Sequence, residues 1–258
     1  MKAFNDKTVY SLQVDANALG GFLAEPFGKA IPTLAPACLP AVGGFATARS
    51  GAFNLDEIVS CSSAYTLVTG REESPSGTIS TLSTAVIEDL NILEVVTAKR
   101  IVAQIAVTLP KDDGRRRISF AGSRFEGLRL AGRECTPRMN SELQRLNDGN
   151  GEELPLVWES LASAGRSQPQ RKEGASVLRY LVDGFEERDV FGKRDPEVAP
   201  RDGHIVEIPG FGRIILGELF VYPDSVQLVS IRAELGCPVV GRVTGPCTSG
   251  GGGQGNRD

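Results

Sequence analysis

The chain holds one histidine, His204, and that single count limits its chemistry. A Ser-His-Asp hydrolase would need it as the base, yet no G-x-S-x-G elbow accompanies it. His204 follows Arg201-Asp202-Gly203 at the head of an apolar run, which reads as a turn or strand-end histidine. Glycoside hydrolysis needs two carboxyl groups roughly 5–10 Å apart. Asp56-Glu57, Glu72-Glu73, Glu88-Asp89 and Glu152-Glu153 qualify by type only, because adjacent residues on a strand point to opposite faces. Gly250 to Gly253 lack the spacing and the following helix of a phosphate loop, and no D-x-D-x-D-G calcium loop is present. No catalytic, cofactor-binding or metal-ligating residue is therefore assigned.

Five cysteines remain, and none are spaced as C-x-x-C. Cys38 and Cys61 flank one loop-rich stretch, and Cys237 and Cys247 flank another, each of the latter beside a proline. Two local disulfides are expected, Cys38 with Cys61 and Cys237 with Cys247, each contributing about 2–4 kcal/mol if unstrained. Cys135 is left over, buried or paired elsewhere. The alternative is five reduced, buried thiols in a cytosolic protein.

The residues that must position these groups read mainly as β. Val9 to Ala16 alternates as a half-buried strand and ends in the turn signal Leu19-Gly20-Gly21. Residues 26–48 are rich in Pro, Gly and Ala and read as loop. Thr78 through Leu109 is a β-branched tract that favours strand over helix. Ile101, Ala103, Ile105, Val107 and Leu109 fall on one face there. Lys111-Asp112-Asp113-Gly114 and the basic run Arg115-Arg116-Arg117 form a charged hairpin turn. Asn140 to Leu146 suits a short helix with Asn140 as N-cap. Arg213 to Val221 and Val226 to Leu235 form a meander turned at Tyr222-Pro223-Asp224-Ser225. In its second strand Gln227, Val229, Ile231, Ala233 and Leu235 share a face, with Arg232 and Glu234 opposite.

In order along the chain, these patches resemble the choice-of-anchor P family of bacterial surface proteins. Val9 to Gly21 resembles its opening strand. Ala64-Tyr65 and Leu90 to Ile101 are similar to its middle strands, and Phe125 to Gly132 to the strand before its variable segment. Ile208 to Ile214 and Leu235 to Pro238 resemble its closing strands. The resemblance implies a secreted, β-rich surface protein without a catalytic motif. The start, Met1 to Lys7, has no apolar signal-peptide core, so a cytoplasmic protein is the rival to an exported one.

The expected fold is mainly β: an antiparallel β-sandwich-like domain over residues 1–247, with a short helical insert at about 137–200 and a flexible Gly-rich tail at 248–258. A β-solenoid is the architectural alternative. No run of 18 apolar residues spans a bilayer, and a net charge of −4 gives no electrostatic footprint for nucleic acid. Aromatic platforms for sugar stacking are sparse: Trp158 is alone and Tyr10, Tyr65, Tyr180 and Tyr222 are scattered. The expected role is a non-enzymatic extracellular or cell-surface structural protein, binding no cofactor. It is a candidate fibre subunit that self-associates by strand exchange through Val9, Tyr10, Leu12 and Val14. The alternatives are a hydrolase using paired carboxylates and a module binding a surface polymer or host ligand through residues 137–200.

Overall fold

A computed structural model describes residues 9–10, 12–110, 117–141, 143, 177–186, 199–200, 203–222, 225–236, 238–251 and 254–255. The strands, in chain order, begin with β1 (Val9–Tyr10), β2 (Val14–Asn17), β3 (Leu19–Glu25), β4 (Lys29–Leu34), β5 (Ala37–Leu39), β6 (Gly44–Ser50), β7 (Phe53–Leu55) and β8 (Val59–Cys61). They continue as β9 (Ser63–Glu73), β10 (Thr78–Ile92), β11 (Val96–Leu109), β12 (Arg117–Ser119), β13 (Arg124–Glu126), β14 (Arg129–Leu130), β15 (Arg133–Glu134) and β16 (Pro137–Met139). The last are β17 (Val177–Tyr180), β18 (Val182–Phe185), β19 (Ala199–Pro200), β20 (Ile205–Ile208), β21 (Gly212–Val221), β22 (Ser225–Leu235), β23 (Val240–Gly251) and β24 (Gln254–Gly255).

Two ten-stranded antiparallel sheets face one another, neither closed into a barrel. This is the expected sandwich-like layout rather than a stacked solenoid. The first sheet is built on the hairpin β10–β11. β8 and β9 lie in succession along one side of β10, and β6 lies outside β9. β12, β13 and β14 line the far side of β11. The second sheet is built on β21, β22 and β23, with β20 and β17 on β21 and with β2 and β3 on β23. The hairpin turn at Leu93-Glu94 is sequence-encoded: Asn91 Oδ1 accepts the Glu94 N–H at 2.8 Å, and both Leu93 and Glu94 have positive φ.

Burial of apolar area holds the sheets together. One cluster joins Ile87, Leu90 and Ile101 of the first sheet to Ile214, Leu216, Ile231 and Ala233 of the second. A second joins Ala103, Ile105 and Val107 to Leu219, Val221, Val226 and Leu228. The inward residues of β21 are thus 214, 216, 219 and 221, and those of β22 are 226, 228, 231, 233 and 235. The period of two slips by one residue midway. β10 slips in the same way between Ile87 and Leu90, where Asp89 has φ +50°. In β21 the slip falls at Gly217, whose φ of +66° a residue with a Cβ adopts only under strain. Each sheet is therefore creased, with inward-facing residues on both sides of the crease.

The crease corrects the expected face of β22. Ile231, Ala233 and Leu235 do point inward, but Leu228 and Val226 take the place expected for Gln227. Three further corrections follow from pairing. Gly20 and Gly21 do not end a strand; they lie inside β3, which passes an irregularity between Leu19 and Gly21. Residues 26–48 hold β4, β5 and most of β6 rather than a loop. Pro32 is tolerated because β4 pairs on one side only, and Pro36 and Pro40 fall between strands.

The Gly-rich end is no free tail as far as Gly255. Thr248 to Gly251 continue β23, and β24 pairs with β1. The glycines there mark close packing. A Cβ on Gly250 would lie 2.7 Å from Val107 Cγ2 and 2.9 Å from Ile105 Cγ2 in the opposite sheet. Across that gap Ser83 Oγ donates to the Ser249 carbonyl at 2.7 Å.

The segment 137–200 contributes β16 to β19 at its two ends. Ser141 and Leu143 are helical, and the Leu143 N–H reaches Asn140 Oδ1 at 3.4 Å, as the N-cap reading requires. The other residues of the expected helix, Glu152-Glu153 and Trp158 lie outside the described residues, as do Lys111 to Arg116.

Candidate functional site: a charged row and groove on the outer face of the second sheet

The densest polar cluster lies on the outer face of the second sheet. Register places Glu207, Arg213, Glu234, Arg242 and Phe22 in one row across β20, β21, β22, β23 and β3. Directly opposed residues on a sheet face are within reach of one another. Arg213 Nε contacts Glu234 Oε2 at 2.5 Å, and Arg242 reaches Glu234 Oε1 at 3.5 Å. One row along, Arg232 donates its Nε and Nη2 to the two oxygens of Glu218 at 2.7 and 2.5 Å, and its Nη1 to Glu234 Oε1 at 2.7 Å.

The Glu218 side chain is 2% exposed. It is an acid within the apolar run Ile214 to Val221, placed at the crease directly after Gly217. The slip turns Glu218 outward to meet Arg232 while Leu219 returns to the core. Burial raises the Glu234 carboxyl, but the Arg213 hydrogen bond and the charges of Arg232, Arg213 and Arg242 outweigh it, so its pKa falls below the ordinary range.

Beside this row is an open groove of about 490 Å³, lined by Gly21, Phe22, Glu234, Val240, Gly241, Arg242 and Thr244. Phe22 is 49% exposed and Val240 41%. An apolar rim beside a half-engaged guanidinium suits the binding of an apolar group carrying negative charge.

The expected sites fall elsewhere. His204 stacks on Tyr180 with ring centroids 3.4 Å apart and lies just before β20. Asp56 pairs with Lys29, Glu73 with Arg71, and Glu88 with Ser63 and Arg100. These side chains do not converge. Among the described residues, no three His, Cys, Asp or Glu side chains gather to hold a metal ion. No described helix is long and apolar enough to cross a membrane.

The cysteine expectation is corrected. Cys38, Cys61 and Cys247 are free thiols, Cys135 is buried, and Cys237 lies outside the described residues. Cys38 is exposed on β5 of the second sheet, whereas Cys61 is buried on β8 of the first. Sequence proximity placed them together, but the chain crosses between sheets, and a disulfide needs Cβ atoms about 4 Å apart. Cys247 lies on the same outer face as the charged row, aligned with Glu218 through Val229. Burial, then the charges of Glu218 and Asp15, push its pKa up to about 12 against a hydrogen bond involving Thr244.

A thiolate is the reactive form, so in the native protein a maleimide should label Cys38 and spare Cys247. Mapping by peptide mass should show Cys247 labelled only after unfolding; native labelling at Cys247 would contradict its burial. Its raised pKa carries a sign for stability. The neutral thiol favours the folded state fully below about pH 9, and that contribution is lost as pH climbs toward about 12. Cys247→Val should flatten this alkaline loss.

The expected assembly strand is docked in its own chain. Val9 and Tyr10 pair with Gly255 and Gln254. Leu12 packs with Ile79 and Leu109, and Val14 with Ala16, Leu39, Val68 and Ala85.

Fold and site together define an open antiparallel β-sandwich whose main polar cluster is an ion-paired row on a sheet face. The chain belongs to the family described as Domain of unknown function (DUF8256), whose model matches residues 10–222. That match stops short of β22 and β23, the strands that carry Arg232, Glu234 and Arg242. No curated protein and no solved structure matches the chain.

Proposed function

We propose that the protein is a non-enzymatic structural β-sandwich of the cell surface that assembles by exchanging its N-terminal strand. The observation that carries this is the seating of residues 9–17. β1 pairs with β24, β2 lies between β23 and β5, and the side chains of Leu12 and Val14 fill apolar slots against residues of the first sheet, with Leu12 7% and Val14 0% exposed. A neighbour's copy of the same segment fits the same slots, since exchange replaces each contact with an identical one. The surface location rests on the family resemblance of the β patches. The free thiols lend it no support.

The hydrolase alternative needs one carboxyl with a raised pKa as general acid. The carboxylates of the densest cluster are held by guanidinium groups, and Glu234 is shifted the opposite way. This favours the structural reading.

A single substitution tests the exchange. Asn17 stands opposite Cys247 on the neighbouring antiparallel strand, and such pairs have Cα atoms about 4.5–5.5 Å apart, within disulfide range. Asn17→Cys, refolded in dilute solution under oxidising conditions so that Cys247 is accessible while the bond forms, should lock the segment into its own chain. Electron micrographs should show filaments for the wild type, none for the oxidised variant, and recovery with reductant. Filaments that form equally with and without reductant, or a wild type that forms none, would overturn the proposal.

A further inference from the structure

We infer that the free edge of β6 is a self-pairing interface that joins a second copy of this chain into a two-fold dimer. Among the described residues β6 pairs with β9 alone, so its other side is an open row of backbone donors and acceptors. Edges of this kind are usually blunted by proline, lysine or a bulge. Phe45 to Ser50 has none of these: the register with β9 runs unbroken from Gly44 to Ser50. Its outward side chains are Phe45, Thr47 and Arg49, all exposed, with Phe45 at 65%. Val42, just before the strand, is 87% exposed. Ala46 and Ala48 face inward against the core.

The strand is complementary to itself. Antiparallel pairing about Thr47 sets Thr47 against its own copy, Ala46 against Ala48, and Phe45 against Arg49. Residues of like parity meet in this register, so inward faces stay inward on both copies. Arg49 is the only charge on β6, and it already lies over the Tyr65 ring at 5.9 Å. The pairing adds the second copy's Phe45 on its other side, which places the guanidinium between two aromatic rings in one cross-strand row. The two first sheets then form one continuous sheet across the axis. The occupant is thus a second copy rather than an unrelated strand, because register, face and charge are all matched by this sequence read in reverse.

This pairing is independent of the N-terminal exchange: the Asn17→Cys lock lies on the other sheet and leaves β6 untouched. Analytical ultracentrifugation of the full, locked chain tests it. The unaltered β6 should sediment as a dimer. Phe45→Lys sets a cation against the second copy's Arg49 and should weaken dimerisation by at least about tenfold. Adding Arg49→Glu to Phe45→Lys restores opposite charges across the axis and should recover the dimer. Both positions are outward-facing, and circular dichroism should show an unchanged fold. A monomer at the highest soluble concentration, a dimer indifferent to Phe45→Lys, or a double variant no better than the single one would each overturn the inference.

Discussion

Leu228→Asp should abolish folding, while Gln227→Asp, one residue earlier on the same strand, should cost no more than about 1 kcal/mol. Leu228 is fully buried against Ala103, Ile105 and Val107 of the opposite sheet. A carboxylate there has no partner in the surrounding apolar cluster, and burying one unpaired costs several kcal/mol even after relaxation. That is a large share of the roughly 5–15 kcal/mol by which a domain of this kind is stable. Gln227 lies on the half-exposed side between Phe220 and Ser249, where an acid stays in water. The pair decides the phase of β22: uninterrupted alternation from Leu235 would bury Gln227 and expose Leu228, and the two outcomes would reverse. Far-UV circular dichroism and urea melts of the two variants are sufficient, and tolerance of Leu228→Asp would remove the crease.

Arg232→Met should cost about 3–5 kcal/mol, because it leaves Glu218 buried without the group that neutralises it. For a domain of this size that corresponds to a fall in Tm on the order of 10 °C. Glu234 keeps Arg213 and Arg242 and so is not stranded by the same change. Glu218→Leu combined with Arg232→Met should recover most of the loss, since replacing both members of a buried pair by apolar groups is often neutral or better. Glu234 titrates below its unfolded value, so its contribution is whole above the ordinary carboxylate range and is lost as pH falls through the depressed pKa. Urea unfolding at neutral and acid pH reads both effects. A cost below about 1 kcal/mol for Arg232→Met would show the pair to be solvated.

Much of the fold was legible from local pattern. Ile101 to Leu109 alternate as read, and Asn140 caps as read, because both depend on residues near in sequence. What escaped depends on pairing partners. A period of two shows alternation but does not show where alternation slips, so Gln227 was placed inside. Composition reads Thr248 to Gly251 as a tail, whereas Gly250 is small because Ile105 and Val107 press on it. Cys38 and Cys61 are near in sequence but belong to different sheets. The charged row was missed because its members, Glu207, Arg213, Glu234 and Arg242, are aligned only by the pairing register of β20 to β23. Its local signs are Arg232 and Glu234 on one face of β22 and Glu218, an acid beside a glycine within eight otherwise uncharged residues of β21 from Ile214 to Val221.

The position of β23 governs how the molecule comes into being. Thr244 donates to the carbonyl of Gly20, a residue 224 positions earlier. β2 and β3 are made long before β23, the strand they pair with. At synthesis rates of about 5–20 residues per second, they wait roughly 10–45 s for it. Until then the N-terminal strands have an open edge, and the second sheet lacks its centre. Closure over so long a loop makes this a slow-folding topology. During that interval Leu19 and Leu23, fully buried in the finished fold, lack the strand that pairs with their own.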